Sequence, residues 1–372
     1  MKILVVSNRV RTYSLGFKNE IEPFLSLGHE VIWAADFNNF IGDKDSIPCR
    51  ISQIDIVSYP FHLTNFKAFF QIKRIIEDEE IDVVECSTPI GGTLARLAAW
   101  HCGIKKVIYV AHGFLFFKGS PAISHAIYKF HEKMLAKITD TLVTITEEDF
   151  EEAKKFKIRG GRQPYRIHGA GVIVGVKVVI DKKEKRKELG LPDNCIAMIS
   201  AGDLNSNKNN EIVIKALGVL HDNSIHYLVC GLGDKMDYLK QLSQKLNISS
   251  NIHFLGYRTD MPELLSCSDI FVMPSFREGV PRSLLEAMDL GLPCVGSDTR
   301  GIRDLIENGK GGFICHPKKE TEFAKAIKSL AKDDGQRKLF GEYNKGKSKK
   351  YSSEVVWKET VEIYQEALNN SK

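Results

Sequence analysis

A strand–helix alternation that runs through the chain twice restricts the fold more than any other feature of the sequence. In the first half, Lys2–Ser7, Glu30–Ala35, Val83–Cys86, Lys106–Ala111 and Thr141–Ile145 read as short apolar strands. Helical spacing over Phe17–Leu27, Phe66–Ile76, Gly92–Trp100 and Ile123–Lys137 separates them. Apolar strands joined by helices predict a parallel sheet with helices on both faces. The pattern lapses over Lys154–Ile180, which carries Lys154, Lys155, Lys157, Arg159, Arg162, Arg166 and Lys177 and no acidic residue. It resumes with a strand at Cys195–Ser200 and ends with helices at Thr321–Asp333 and Ser353–Leu368. A chain of 372 residues exceeds what one core usually serves. The expected division is a Rossmann-like domain at 1–175, a linker region at 176–193, a second such domain at 194–350 and a final helix at 351–372. Ligands of open α/β sheets bind beyond the carboxyl ends of the strands, so the crevice between two such domains is the expected site.

Composition removes several classes. The 52 Lys+Arg against 47 Asp+Glu give a net charge of only +5, and outside Lys154–Ile180 the bases are interspersed with acids. That argues against a nucleic-acid reader. The eight cysteines include no Cys-x-x-Cys pair, and several sit in apolar runs, as Cys230 does. They read as buried, reduced thiols of a cytosolic protein. The apolar run at Lys2–Val6 is too short for a signal peptide, and no stretch approaches the roughly 18 to 20 apolar residues of a spanning helix. Any membrane contact is expected from the surface, with basic, aromatic helices as candidates: Phe66, Lys67, Phe69, Phe70, Lys73 and Arg74 in one, Lys129, Lys133 and Lys137 in another. Asp43-Lys-Asp45 lies in a polar loop and is not expected to hold a metal.

The chemistry concentrates in Pro274-Ser-Phe-Arg-Glu278-Gly-Val-Pro-Arg-Ser-Leu-Leu-Glu286. A buried strand ends at Pro274, Pro281 suits a helix start, and Ser283–Leu290 continues as helix. Free N–H groups at that start can hold a pyrophosphate, and Gly279 lets the backbone approach it. Glu278 and Glu286 flank the anion site and suit hydroxyls, Glu286 those of a ribose and Glu278 those of a sugar. A second turn, Ala201-Gly202-Asp203-Leu204-Asn205-Ser206-Asn207-Lys208, follows a strand; Gly202 permits close approach and Lys208 reaches a diphosphate. Gly231-Leu-Gly233 is a bare Gly-x-Gly that shapes a loop rather than marking a nicotinamide site.

Glu278-Gly-Val-Pro, Leu285-Glu-Ala-Met and Gly291-Leu-Pro-Cys-Val-Gly-Ser-Asp298 together resemble the Glu-x7-Glu region of the retaining glycosyltransferases of family 4. The similarity extends over most of the second half and more loosely over the first. It implies a GT-B fold of two doubly wound domains, an acceptor site on the first, a nucleotide-sugar site on the second, and a last helix that can cross back to the first. It implies metal-independent transfer from a nucleotide diphosphate sugar, a UDP-sugar above all, to a glycan or lipid-linked acceptor in surface-polysaccharide synthesis. The donor is a substrate, and no cofactor is expected. Lys208 would stabilise the leaving diphosphate, and Glu278 would hold the sugar. Val280, Pro281 and Arg282 would line the anion site, with Arg282 or Arg300 as a second cation. Phe254–Asp260 resembles the base-holding loop, with backbone groups at Arg258 reading the base edge and Tyr257 or Arg258 stacking on it. Tyr109-Val-Ala-His112-Gly-Phe resembles a His-Gly-Phe loop that sets a histidine against the donor sugar. Phe114 and its neighbours would be partly exposed beside the acceptor, and Lys118, Arg9 and Arg11 are candidate anion or acceptor contacts. Two positions depart from the family: Asp203 stands where an arginine is common, and Leu115 where a second histidine is common. Another GT-B enzyme, such as a nucleotide-sugar epimerase or sugar-phosphate synthase, and a non-catalytic two-domain binding protein remain as alternatives.

Overall fold

The computed structural model describes residues 1–57, 59 and 62–369. The chain forms two compact units, Met1–Gly171 with Ser353–Lys372, and Val172–Ser352.

The first unit holds a seven-stranded parallel sheet of order β3-β2-β1-β4-β5-β6-β7. Its strands are β1 (Lys2–Arg9), β2 (Glu30–Asp36), β3 (Arg50–Gln53), β4 (Val83–Ser87), β5 (Lys106–Ala111), β6 (Thr141–Thr144) and β7 (Tyr165–Arg166). The helices are α1 (Leu15–Ser26), α2 (Thr64–Asp78), α3 (Pro89–His101), α4 (Ala122–Ala136) and α5 (Glu147–Ala153). Because side chains alternate along a strand, Val84, Cys86, Val107, Tyr109 and Ala111 enter one core layer together with Ala68 and Ile72 of α2 and Ala95 and Ala99 of α3. The opposite face receives Glu85 and Ser87. The last helix, Ser353–Asn369, belongs to this unit and packs on α1, where Tyr364 stacks on Phe24 at 4.1 Å between ring centroids.

The second unit holds a six-stranded parallel sheet of order β10-β9-β8-β11-β12-β13. Its strands are β8 (Ile196–Ala201), β9 (Ile225–Cys230), β10 (Ile252–Gly256), β11 (Ile270–Met273), β12 (Cys294–Ser297) and β13 (Gly312–Cys315). The helices are α6 (Lys182–Glu188), α7 (Asn210–Leu220), α8 (Met236–Lys245), α9 (Met261–Ser266), α10 (Arg282–Asp289), α11 (Arg300–Leu305), α12 (Glu320–Lys332) and α13 (Asp334–Ser348). Residues 176–193, read from sequence as a linker, lie inside this unit. Asp181 caps α6 through the amides of Lys183 and Glu184. Leu189 and Leu191 then enter the core, and Arg186 binds the carbonyl of Cys195. All eight cysteines are free thiols, and six of them are buried.

Candidate active site

In the second unit two strand-end loops meet. Lys208 Nζ donates to Glu278 Oε1 at 2.8 Å, with the lysine side chain 23% and the glutamate 12% exposed. The β8–α7 turn makes this possible. A Cβ at Gly202 would come within 3.1 Å of Lys208 Cε, so glycine leaves the lysine stem its path. Asn207 stitches the loops together: its amide donates to the Arg277 carbonyl at 2.9 Å, and its carbonyl accepts from Phe276 N–H at 2.8 Å. Asn209, in a left-handed conformation before α7, donates to the Pro274 and Pro317 carbonyls. Neither asparagine stands out by motif; an asparagine just ahead of a helix was the available signal.

Glycines press the loops close. A Cβ at Gly301 would fall 1.2 Å from the Gly279 carbonyl oxygen, and one at Gly231 1.9 Å from that of Gly202. Gly231-Leu-Gly233 is therefore a packing device, as expected. Arg300 is buried, and its Nε donates to the Glu278 carbonyl at 3.2 Å, which fixes the loop from behind. Helix α10 begins at Arg282 with buried Pro281 at its N-cap and no side-chain cap, leaving its first N–H groups for a ligand. The Val280 side chain packs against the core below.

Arg282 lies 3.7 Å from Glu286, a loose pair. Burial lifts the Glu286 carboxyl above its usual range, and Arg282 partly offsets this. Both residues line a cleft whose other walls include Thr259, Met261, Pro262, Leu265 and Leu290. Largely apolar walls with the carboxylates of Glu286 and Asp289, the latter accepting from Gly175 N–H, suit a nucleoside. Tyr257 is 76% exposed and free to stack. Arg258 is not. It makes two bonds to Asp260, at 2.8 and 2.6 Å, and Lys185 adds a third cation contact to that carboxylate at 2.8 Å. Arg258 and Lys185 hold Asp260 well below the usual carboxylate range, against the opposing effect of its partial burial. The Arg258 side chain expected to stack on the base is held in this ion-pair network. Asp203 is exposed beside Gly202 and adds no positive charge.

In the first unit, His112 follows β5, and its Nε2 lies 2.6 Å from Glu20 Oε1 of α1. Burial alone would lower the His112 pKa, but the hydrogen bond and charge of Glu20 together outweigh it and raise the value above the ordinary 6.5. Glu20 carries no motif and was missed from sequence. Phe114 is buried, not partly exposed. Phe114 and Phe116 are each 1% exposed, stack at 5.0 Å and pack on Phe156, because alternate side chains of the loop turn inward to cover the sheet end. Lys118 is exposed; its amide, not its ammonium, is bonded, to Glu148. Arg9 reaches Asp36 at 3.4 Å and is half exposed, whereas Arg11 is exposed. Asp43 caps a short turn by accepting from Asp45 N–H.

Two Rossmann-like parallel units, one bearing a cation–carboxylate pair ahead of an open helix start, define a GT-B protein. A family model described as glycosyl transferases group 1 matches residues 181–347, and one described as Glycosyltransferase Family 4 matches residues 21–163. The putative glycosyltransferase EpsD of Bacillus subtilis (strain 168) is 33% identical over 351 residues, covering 92% of this chain and 90% of that protein. An Escherichia coli UDP-Gal:alpha-D-GlcNAc-diphosphoundecaprenol alpha-1,3-galactosyltransferase is 28% identical over 277 residues, 73% of this chain and 72% of that one. Among solved structures, Anabaena HepE in complex with UDP and glucose superposes with a TM-score of 0.78 at 18% identity, covering 98% of this chain and 100% of its own. A Rickettsia africae glycosyltransferase gives 0.76 at 19% identity, with 100% and 99% covered. The chain belongs to the family 4 glycosyltransferases with the GT-B fold.

Proposed function

We propose that this chain is a retaining glycosyltransferase that moves a sugar from a UDP-sugar to a hydroxyl of a glycan or lipid-linked acceptor in cell-surface polysaccharide synthesis. The observation that carries the reading is the Lys208–Glu278 pair, 2.8 Å long, beside the uncapped start of α10. Lys208 and the α10 amides stabilise negative charge as it develops on the leaving diphosphate. Glu278 holds a sugar hydroxyl and Glu286 the ribose diol. Glu278 is engaged by a cation, which suits binding rather than nucleophilic attack. The reading therefore takes front-face transfer, with the leaving phosphate accepting the proton of the acceptor hydroxyl. The printed names of the Escherichia coli relative and of the HepE complex support a UDP-linked donor, and the former a lipid-diphosphate acceptor.

A lipid-linked acceptor is met at a membrane surface from the cytoplasmic side. Among the described residues, no helix is long and apolar enough to cross a membrane. Helices α2, α3 and α4 do expose Phe66, Phe70, Trp100, Ile127 and Phe130, each at least 60% accessible. The basic residues expected to assist are partly neutralised: Lys67 pairs with Asp55, Lys73 with Glu77, Arg74 with Asp78 and Lys129 with Glu152. Apolar insertion, more than charge, then drives the contact.

The test is transfer from a set of labelled nucleotide sugars to undecaprenyl-diphosphate-linked and free glycans. Transfer that is lost in Lys208→Ala and Glu278→Ala supports the proposal. Full activity in either variant refutes it.

A further inference from the structure

On the face of the first unit's sheet that α1 and the last helix cover, a line of polar groups runs inward from His112. Glu20 Oε1 meets His112 Nε2 at 2.6 Å, and Glu20 Oε2 accepts from Ser87 Oγ at 3.2 Å. Both oxygens of Glu20 are therefore committed, and the residue is only 6% exposed. Two residues further in along β4, Glu85 is fully buried in the middle of the sheet, with Val5 and Ile108 as its strand partners. Neither of its carboxyl oxygens, nor the hydroxyl of Tyr364 on the last helix, has a hydrogen-bond partner among the described residues. A small cavity borders this line, and Asn19, Glu20, His112, Thr360 and Tyr364 are among the residues that line it.

A carboxylate in an apolar layer is expensive unless it is paired. Glu20 is paired; Glu85 is not. Burial first, and then the charge of Glu20, push the Glu85 carboxyl well above its usual range, so it stays neutral. The groups that face the Glu20–His112 pair are Glu85 and Ser87 from β4 and Tyr364 from the last helix, and none of them is a cation.

We infer that Glu20 is a positioning residue for glycosyl transfer: it anchors the Nε2 edge of the His112 ring and leaves Nδ1 as the atom that hydrogen-bonds the sugar substrate. This rests on the reading that His112 contacts that substrate. With Nε2–H donated to Glu20, a neutral ring offers Nδ1 as an acceptor, and a protonated ring offers Nδ1–H as a donor. Glu20 favours the second form and extends it to higher pH. Carboxylates that orient a metal-ligating histidine through its other ring nitrogen typically change its performance on the order of 10- to 100-fold, and the same scale is expected for this pair.

The experiment compares His112→Ala, Glu20→Gln, their double mutant and Glu85→Gln in the full chain, each checked for a normal melting transition. Transfer rates against pH are read together with the titration of the His112 ring by nitrogen-15 NMR. Expected are a loss of about 10- to 100-fold in kcat for Glu20→Gln, a His112 titration displaced to lower pH, and no further loss when Glu20→Gln is added to His112→Ala. Glu85→Gln keeps wild-type transfer. Should Glu20→Gln fail to fold, Glu20→Asp, which keeps the charge but shortens its reach to His112 Nε2, is expected to displace the His112 titration in the same direction by less. The inference is overturned if the His112 titration does not move in Glu20→Gln, or if that change costs the same factor with His112 already absent. A His112→Ala enzyme with wild-type activity would instead overturn the underlying reading of His112.

Discussion

Removing the Lys208 ammonium isolates the charge on which the proposed chemistry depends. Its Nζ sits 2.8 Å from Glu278, and its stem passes over Gly202 in a partly buried setting. Two unit charges about 4 Å apart at an effective dielectric near 20 interact by about 4 kcal/mol. Loss of one preorganised donor to a developing oxyanion costs about 2.7–4 kcal/mol, or roughly 10²–10³ in kcat. The two scales agree, so Lys208→Ala is expected to lower kcat by that factor. Charge on the leaving diphosphate grows in the transition state, so kcat should fall by more than KM rises. The fold should also weaken. Glu278 is 12% exposed and loses a charge-assisted bond of about 1.5–3 kcal/mol. At about 2–4 °C per kcal/mol for a domain of this size, melting drops by several degrees. The assay is steady-state transfer with a labelled UDP-sugar, paired with thermal melts with and without UDP. A variant within about threefold of wild-type kcat would show that the leaving group is stabilised elsewhere, because even half of the smaller figure predicts a larger loss.

Other outcomes follow from particular contacts. Gly301→Ala drives a Cβ to 1.2 Å from the Gly279 carbonyl and must displace the loop behind Glu278; overpacking of this kind costs about 1–3 kcal/mol, so calorimetry should show weakened UDP binding along with a lower melting temperature. The His112 pKa is raised in the folded state, so the pair's contribution to stability is complete below about 6.5 and is lost as pH rises through the folded value. The gap in urea midpoint between wild type and Glu20→Gln should therefore narrow as pH climbs above neutrality; a constant gap argues for packing alone. Phe66→Ser with Phe130→Ser should abolish flotation with liposomes while leaving the turnover of a water-soluble acceptor unchanged, and unaltered flotation would remove these helices from the membrane contact.

Long-range order in this chain is written in strong local patterns. Apolar strands such as Ala197–Ile199 and Ile270–Met273 are buried on both faces, and the loops that carry Lys208 and Glu278 begin where those strands end. The elements that sequence reading passed over are weak in pattern or short. Strand β3 is four half-exposed residues, Arg50-Ile-Ser-Gln, and β7 is two. Helix α6, Lys-Lys-Glu-Lys-Arg-Lys-Glu, has no apolar face; the Asp181 cap was its one signal. Arg258 looked available because nothing local announces that Lys185, far away in sequence, shares Asp260 with it. The inward turn of Phe114 and Phe116 depends on Phe156 of a later segment. Glu20 is similar: only the fold brings α1 beneath the end of β5. Glu85 did carry a clue, a carboxyl inside Val-Val-Glu-Cys-Ser, since a charged residue within a buried strand asks for an explanation.

The central claim, that the Lys208–Glu278 site transfers a sugar with its anomeric configuration kept, is tested most directly by NMR of the product formed from a carbon-13-labelled UDP-sugar and a lipid-diphosphate glycan. The account predicts a new glycosidic bond with the donor's α configuration in the wild-type enzyme and almost none in Lys208→Ala. A β-linked product, or an epimerised donor with no new glycosidic bond, would contradict it.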